Sequence, residues 1–122
     1  SIDRSFLLKH SRSSSLWEAA EILLWSNSFP KINEDPFALF SVLRYLITLS
    51  FDCVQKKETS LVLSKLSPKR REYYKNKAVT RPLSFYIKTI QELFTLEILA
   101  KSKAISSKAL LEHLYVTCSY QS

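Results

Sequence analysis

Apolar residues recur along this 122-residue chain at the three- and four-residue spacing of amphipathic α-helices. Four prolines and several short polar turns separate these apolar segments. Most β-branched residues fall on the same helical spacing, so no segment predicts a strand with comparable strength. The pattern therefore predicts an all-α fold, a helical bundle of about five or six helices.

Several predicted helices begin with a residue type that caps a helix N-terminus. A serine or aspartate side chain before the first turn accepts a hydrogen bond from a free backbone N–H. Proline directly after the cap is favoured because its missing donor costs nothing at the first helical position. The capping segments are the Ser-Leu-Trp-Glu box at Ser15–Glu18, Asp35–Pro36, Ser67–Pro68, and Ser106 or Ser107.

From these starts, the apolar spacing predicts the extent of each helix. The predicted helices cover residues 15–25, 36–54, 61–66, 68–79, 83–100 and 107–118. A loop containing Pro30 is expected over residues 26–34. Apolar residues fill most of the circumference of the second helix, which predicts that it is buried on more than one side.

Length predicts one helical domain over residues 1–122, and the absence of an initial methionine suggests the C-terminal fragment of a longer chain. Residues 1–12 are expected to form either a first short helix of the bundle or the tail of a preceding domain. No run of eighteen apolar residues lacks a charge, and no secretion signal is recognisable, so we expect a cytoplasmic protein without a membrane partner.

Composition argues against the main classes of phosphate- and nucleotide-binding enzyme. The chain has no glycine, although average usage of ~7% would supply about nine. Walker loops, dinucleotide-binding turns and nucleophile elbows all need glycine for tight turns or close backbone approach. We therefore expect no cofactor, no small-molecule substrate and no enzymatic activity.

Cys53 and Cys118 are far apart in the sequence, and each lies in a predicted helix. This arrangement favours two buried, reduced thiols over a disulfide. The two histidines are not at metal-ligand spacing from either cysteine, so no metal site is expected.

A basic segment is the sharpest local feature of the sequence. Between Lys65 and Arg81, seven lysines and arginines face one acid, Glu72, within a chain of net charge +7. Such a helix can contact nucleic-acid phosphates, or it can be a solvated face or bind an acidic protein. The candidate nucleic-acid-binding residues are Lys69, Arg70, Arg71, Lys75 and Lys77, with Lys101 and Lys103 near the end of the following long helix.

The aromatic residues of the basic helix and of the first helix can each be core residues or binding residues. Tyr73 and Tyr74 could stack on a nucleic acid, but one of two adjacent aromatic residues on a helix is expected to pack inward. Trp17 and Trp25 lie eight residues apart, near one helical face. They are expected to be core residues, with a subunit interface as the alternative.

Three sequence blocks together resemble the C-terminal domain of the delta subunit of the bacterial DNA polymerase III clamp loader. The first is an acidic-proline helix opening followed by apolar residues and an arginine, and the second is a short helix followed by a basic helix. The third is a long helix, a polar turn and a closing leucine-rich helix. They cover Glu34–Leu46, Leu61–Lys75, and Leu83–Lys103 with Lys108–Cys118.

This resemblance implies a collar domain, a helical bundle that joins related subunits into a ring. The implied partners are the other clamp-loader subunits, of the gamma/tau and delta-prime types, with primer-template DNA as an auxiliary contact. The implied function is non-catalytic assembly that supports loading of the sliding clamp in DNA replication. Candidate interface residues on the second and fifth helices are Phe37, Phe40, Arg44, Tyr86 and Phe94.

Two other functions remain open from the sequence. The chain can be a stand-alone helical module that binds nucleic acid through its basic helix. It can also be a protein-interaction domain that recognises an acidic partner. A collar domain should bind DNA weakly by itself, whereas a dedicated module should bind tightly.

Overall fold

The computed structural model describes residues 16–32, 34–56, 61–102 and 105–120. In these ranges the chain forms six helices and no strand, which confirms the all-α bundle. α1 comprises an α-helical segment, residues 16–21, and a π-helical turn, Ile22–Ser26. A 3₁₀ turn, Pro36–Ala38, leads into α2. The other bounds are α2 Leu39–Val54, α3 Leu61–Ser64, α4 Pro68–Ala78, α5 Leu83–Ser102 and α6 Ser107–Cys118.

Three of the predicted caps form as expected. The Asp35 carboxylate accepts from the Phe37 amide at 3.0 Å. Ser67 Oγ accepts from the Arg70 amide at 3.3 Å, and Ser106 Oγ accepts from the Ala109 amide at 3.1 Å. Ser15 lies outside the described residues. These local hydrogen bonds satisfy backbone donors that the first helical turn leaves free.

α2 is the central helix of the bundle. It packs against α3, α4 and α5, and its buried residues cover about half of the helix circumference, so it is buried against several neighbours. The buried residues are Leu39, Phe40, Leu43, Leu46, Ile47, Leu49, Ser50 and Cys53. α6 packs against α5, the 3₁₀ turn and the π-helical turn of α1.

The segment Pro36–Val54 is long and apolar enough to span a membrane, with a mean hydropathy of 1.6 over its most apolar window. The sequence rule of eighteen uncharged residues did not select it because Arg44 and Asp52 interrupt the run. In the structure its apolar side chains form the centre of the core, which accounts for its composition. That the protein has no membrane partner remains a prediction.

α1 is attached to the bundle through its two tryptophans. The Trp17 indole donates to the Tyr74 hydroxyl at 2.5 Å, and the Trp25 indole donates to the Tyr86 hydroxyl at 3.1 Å. Both indoles are partly buried against the core. This matches the expectation that the tryptophans are core residues, and it gives each indole N–H a partner.

Among the described residues, two that are not glycine adopt the left-handed backbone conformation that glycine usually supplies. Asn27 follows α1 with φ 50°, and Lys56 follows the end of α2 with φ 57°. Asparagine tolerates this region better than most residues. The Asn27 side chain also donates to the Tyr120 carbonyl at 2.6 Å and accepts from the Tyr120 amide at 3.0 Å, so it joins the α1–α2 loop to the residues after α6.

Four predicted helix ends shift by one or two residues, the first being α1, which ends at Ser26, one residue past the predicted end. α3 ends at Ser64 because the amides of Lys65 and Leu66 bond three residues back, at 3.4 and 3.1 Å, and form a turn. The following Ser67–Pro68 pair then starts a new helix. α4 ends at Ala78, one residue before the predicted end, and α5 continues to Ser102, two residues past it.

Candidate functional site

α4 carries most of the candidate nucleic-acid-binding residues. Its eleven residues include five cations and one acid, and only Tyr74 and Ala78 are buried. Tyr74 fills the space between Trp17 and Trp25, with ring centroids 6.3 and 6.2 Å away. The rest of the helix is therefore available for solvent or a partner.

No cation of α4 forms an ion pair with an acid in the described part of the chain. The ion pairs between described residues all involve α5, where Glu97 contacts Arg44 and Lys101, and Lys88 contacts Glu92. The charges of α4 thus remain uncompensated by described carboxylates. Like charges on one helix repel each other, so a bound anion would reduce this electrostatic repulsion.

Three side chains follow one another along the side of α4 that borders the groove to α1. Lys69, Tyr73 and Lys77 are spaced by four residues, which places them on one helical face. We call them the basic line. Lys69 is exposed, and the Lys77 ammonium lies 5.8 Å from the centre of the Tyr73 ring. Arg70 flanks this line, with its guanidinium 5.9 Å from the Tyr74 ring centre.

The ring of Tyr73 is held in place but remains 45% exposed. Its hydroxyl donates to Glu21 Oε1 at 2.6 Å, and its ring meets the Tyr74 ring edge-on with centroids 5.0 Å apart. The hydrogen bond to Glu21 is the main reason that the pKa of Tyr73 rises to about 12. As expected for adjacent aromatic residues, one packs inward and the other lies at the surface.

Arg71 and Lys75 lie on the other flank of α4, nearer to α2. Arg71 Nε is buried without a hydrogen-bond partner among the described residues. Lys75 is close enough to Cys53 to lower its pKa, although burial dominates and raises that pKa above the usual value. The five cations of α4 therefore do not form one compact site, because they occupy two sides of the helix.

An open groove of about 490 Å³ separates α1 from the basic line. Its walls include Glu18, Glu21 and Trp25 of α1, and Tyr73 and Lys77 of α4. The acids lie on the α1 side and the lysine lies on the α4 side. An anionic ligand is therefore expected to bind along α4 and outside this groove.

Lys101, the candidate lysine beyond α4 that the structure describes, does not join the basic line. Lys101 lies on α5, about four turns beyond Tyr86, where α5 meets the end of α4. Its ammonium is 3.7 Å from Glu97 Oε2, so a carboxylate already compensates part of its charge. Lys103 lies outside the described residues.

The five candidate interface residues occupy different environments. Phe40 and Tyr86 are fully buried in the core of this chain, so their prediction as partner contacts is corrected. Both lie on helix faces that pack against other helices of the same bundle. Phe37 is partly buried against Phe40, and Arg44 binds Glu97 of α5, whereas Phe94 is 51% exposed.

Phe94 belongs to a row of exposed apolar side chains on α5. Ile87, Phe94 and Ile98 are spaced by seven and four residues and share one helical face. We call them the α5 apolar stripe. Both isoleucines lie in the predicted helix over residues 83–100, and their spacing does not by itself separate them from the core residues of that helix. α5 has more apolar positions than one helical face can hold, and this excess was the sequence signal for an exposed apolar row.

A second open groove, of about 600 Å³, lies between α5 and α6. Lys88 and Glu92 line one side, and Val116 and Tyr120 line the other. Among the described residues, no group of three histidine, cysteine or acidic side chains is placed to hold a metal ion. That the chain binds no metal remains a prediction.

No protein-family model, curated protein or solved structure matches the chain.

Proposed function

We propose that this chain is a non-catalytic assembly domain of the clamp-loader collar type, which binds a neighbouring helical subunit through α5. The observation that carries the proposal is the α5 apolar stripe, in which Phe94 is 51% and Ile98 69% exposed. Isolated exposed apolar residues are common, but a row on one helical face is typical of a docking surface. The sequence resemblance to the delta-subunit collar points in the same direction.

The partner surface is expected to be another helix with an apolar face. From Ile87 to Ile98 the stripe extends over three helical turns, or about 17 Å, which suits packing of one helix along another. Charged residues border it, since Glu97, Arg44 and Lys101 form a cluster next to its end. An apolar centre with a charged rim is the usual composition of a protein interface.

Light scattering after size exclusion tests this assembly. The chain is measured alone and with the C-terminal domains of the other clamp-loader subunits of the same organism. We expect a complex with at least one of them, and we expect Phe94→Asp to abolish it. Val116→Asp is the matched control, because Val116 is an exposed apolar residue on α6. A chain that stays monomeric in every mixture would overturn the proposal.

A second candidate function is nucleic-acid binding through α4, and one specific observation favours it. The five cations of α4 have no described carboxylate partner, unlike the cations that contact α5. Phosphate groups would supply the missing counter-charges and release bound counterions. In a collar domain this contact would be auxiliary, whereas in a free-standing module it would be the main function.

Salt dependence of DNA binding tests the second function. Replacing Lys69, Arg70 and Lys77, which lie on one side of α4, together by alanine should reduce the slope of log affinity against log salt by about 2 to 3. An unchanged slope would mean that these three cations do not contact phosphate, and this result would exclude DNA binding through α4. Lys88→Ala on α5 serves as a control for the loss of positive charge, since Lys88 lies away from α4 and pairs with Glu92.

A further inference from the structure

We propose that the basic line binds single-stranded nucleic acid, with an unpaired base stacked on Tyr73 and phosphates beside Lys69 and Lys77. This inference rests on the second proposed function, nucleic-acid binding by α4, and specifies its ligand. It starts from an aromatic ring that is exposed between two lysines on one helical face.

The position of Tyr73 is fixed before any ligand binds. Its hydroxyl is anchored on Glu21, and its ring packs edge-on against Tyr74, which is buried and hydrogen-bonded to Trp17. A ring that is already oriented loses little conformational entropy when a base stacks on it. The exposed part of the ring then offers a flat apolar surface at a defined place.

Cations lie at both ends of this surface. Lys69 and Lys77 are eight residues apart, which corresponds to about 12 Å along α4. A lysine already lies over the Tyr73 ring at 5.8 Å, so the ring and the positive charge share one small area. Neither lysine is held by a described carboxylate. Alternating cations and aromatic rings are the usual surface for single strands.

The acids near Tyr73 restrict how a strand can lie. Glu18 and Glu21 line the α1 side of the adjacent groove, where they repel phosphate. Because Tyr73 and Lys77 also line this groove, the backbone of the strand is expected to follow the solvent-facing rim of α4, away from Glu18 and Glu21. Its base is then directed toward the exposed part of the Tyr73 ring.

The same geometry disfavours a duplex as the preferred ligand. Bases in a duplex are already stacked on each other, so they cannot stack on a surface tyrosine without being extruded. A duplex can use only the lysines, whereas a single strand uses the lysines and the ring. An acidic protein can likewise pair with the lysines, but it offers no planar base.

The experiment compares fluorescence anisotropy of a labelled thymidine oligomer with that of a duplex of equal length, at low salt. We expect Tyr73→Ala to weaken single-strand binding about tenfold and to leave duplex binding nearly unchanged. Tyr73→Phe keeps the ring but loses the hydroxyl anchor on Glu21, so it should weaken single-strand binding less than Tyr73→Ala does. Phe29→Ala is the matched control, because Phe29 is an aromatic residue of similar exposure, 49%, outside α4. Tyr73→Leu keeps apolar packing against Tyr74 and provides a second test if the alanine variant is unstable.

Lys69→Ala and Lys77→Ala separate this inference from the proposed function beneath it. Each should weaken both ligands and lower the salt slope by about one. If the lysine variants behave so and Tyr73→Ala has no selective effect, the stacking inference fails while nucleic-acid binding stands. If neither oligomer binds, both fail. Equal competition by polyglutamate would identify an acidic protein as the partner and overturn the inference.

Discussion

The indole N–H of Trp25 donates a hydrogen bond to the hydroxyl oxygen of Tyr86 over 3.1 Å. The same hydroxyl donates to the Ala78 carbonyl at 2.7 Å, so one buried phenol joins α1, the last residue of α4 and the first turns of α5. Burial is the main reason that the pKa of Tyr86 is raised. This junction holds the basic helix to the rest of the bundle.

Tyr86→Phe should lower the free energy of unfolding by about 1–3 kcal/mol, because it leaves the Trp25 N–H and the Ala78 carbonyl without their partner. Urea denaturation followed by tryptophan fluorescence measures this loss. Tyr115→Phe is the control, since that hydroxyl donates to the exposed Asn27 carbonyl, which water can satisfy. Equal losses in the two variants would contradict the assigned role of the junction.

Leu43→Ala should cost about 2–5 kcal/mol of unfolding free energy, because it leaves a cavity at a fully buried position of the central helix. Leu61→Ala removes the same atoms from an exposed position of α3 and should change stability by less than about 0.5 kcal/mol. Thermal melts and urea titrations of both variants check the contrast. Similar effects at the two positions would mean that α2 is not the core helix.

Glu97→Ala should destabilise the fold by about 1.5–3 kcal/mol, since its largely buried carboxylate accepts a charged hydrogen bond from Arg44 and joins α5 to α2. Lys101→Ala removes only the outer partner, whose side chain is exposed, and should cost less than about 1 kcal/mol. Chemical denaturation at low and high salt compares the two. A larger loss of stability for Lys101→Ala than for Glu97→Ala would contradict this prediction.

Lys56→Gly should raise the free energy of unfolding by about 0.5–1 kcal/mol, because Lys56 has φ 57° and a side chain makes that conformation costly. Lys56→Ala removes the same charge without relieving the backbone, so it separates the two effects. Thermal denaturation measures both variants. If the glycine variant is no more stable than the alanine variant, the left-handed conformation of residue 56 does not destabilise the protein.

Burial raises the pKa of the Cys118 thiol to about 12, compared with 9.0 for an unperturbed thiol. The pKa of this thiol is higher in the folded state than in the unfolded state. The Cys118 thiol therefore costs the fold no stability below pH 9.0, and the free energy of unfolding falls as the pH rises from 9.0 toward 12. In the Cys53→Ala variant, Cys118 should react with a thiol reagent far more slowly in buffer than in urea. Equal rates in the two solvents would show that this thiol is accessible.

Helix positions were largely predictable because their signals are local. The prolines at 36 and 68 and the capping side chains before them act within one turn, and the structure places helix starts there. Helix ends were predicted less accurately. α5 continues for two residues past the predicted end, because its termination depends on packing as well as on sequence.

The candidate site was predictable in composition but not in arrangement. Sequence alone located the basic helix, and it anticipated that one of Tyr73 and Tyr74 would be buried. It did not indicate which one, since that choice depends on where Trp17 and Trp25 lie in space. It also placed Tyr86 in an interface, whereas the bundle buries that residue beneath α1.

The sequence by itself determined an all-helical chain without glycine, with a basic segment between two proline-marked boundaries. Those properties follow from composition and short-range spacing. Only the tertiary structure decided which apolar residues of α5 face outward and which cations of α4 lack a described carboxylate partner. The reason is physical: burial and ion pairing depend on contacts between helices that are distant in sequence, whereas helix starts depend on neighbouring residues.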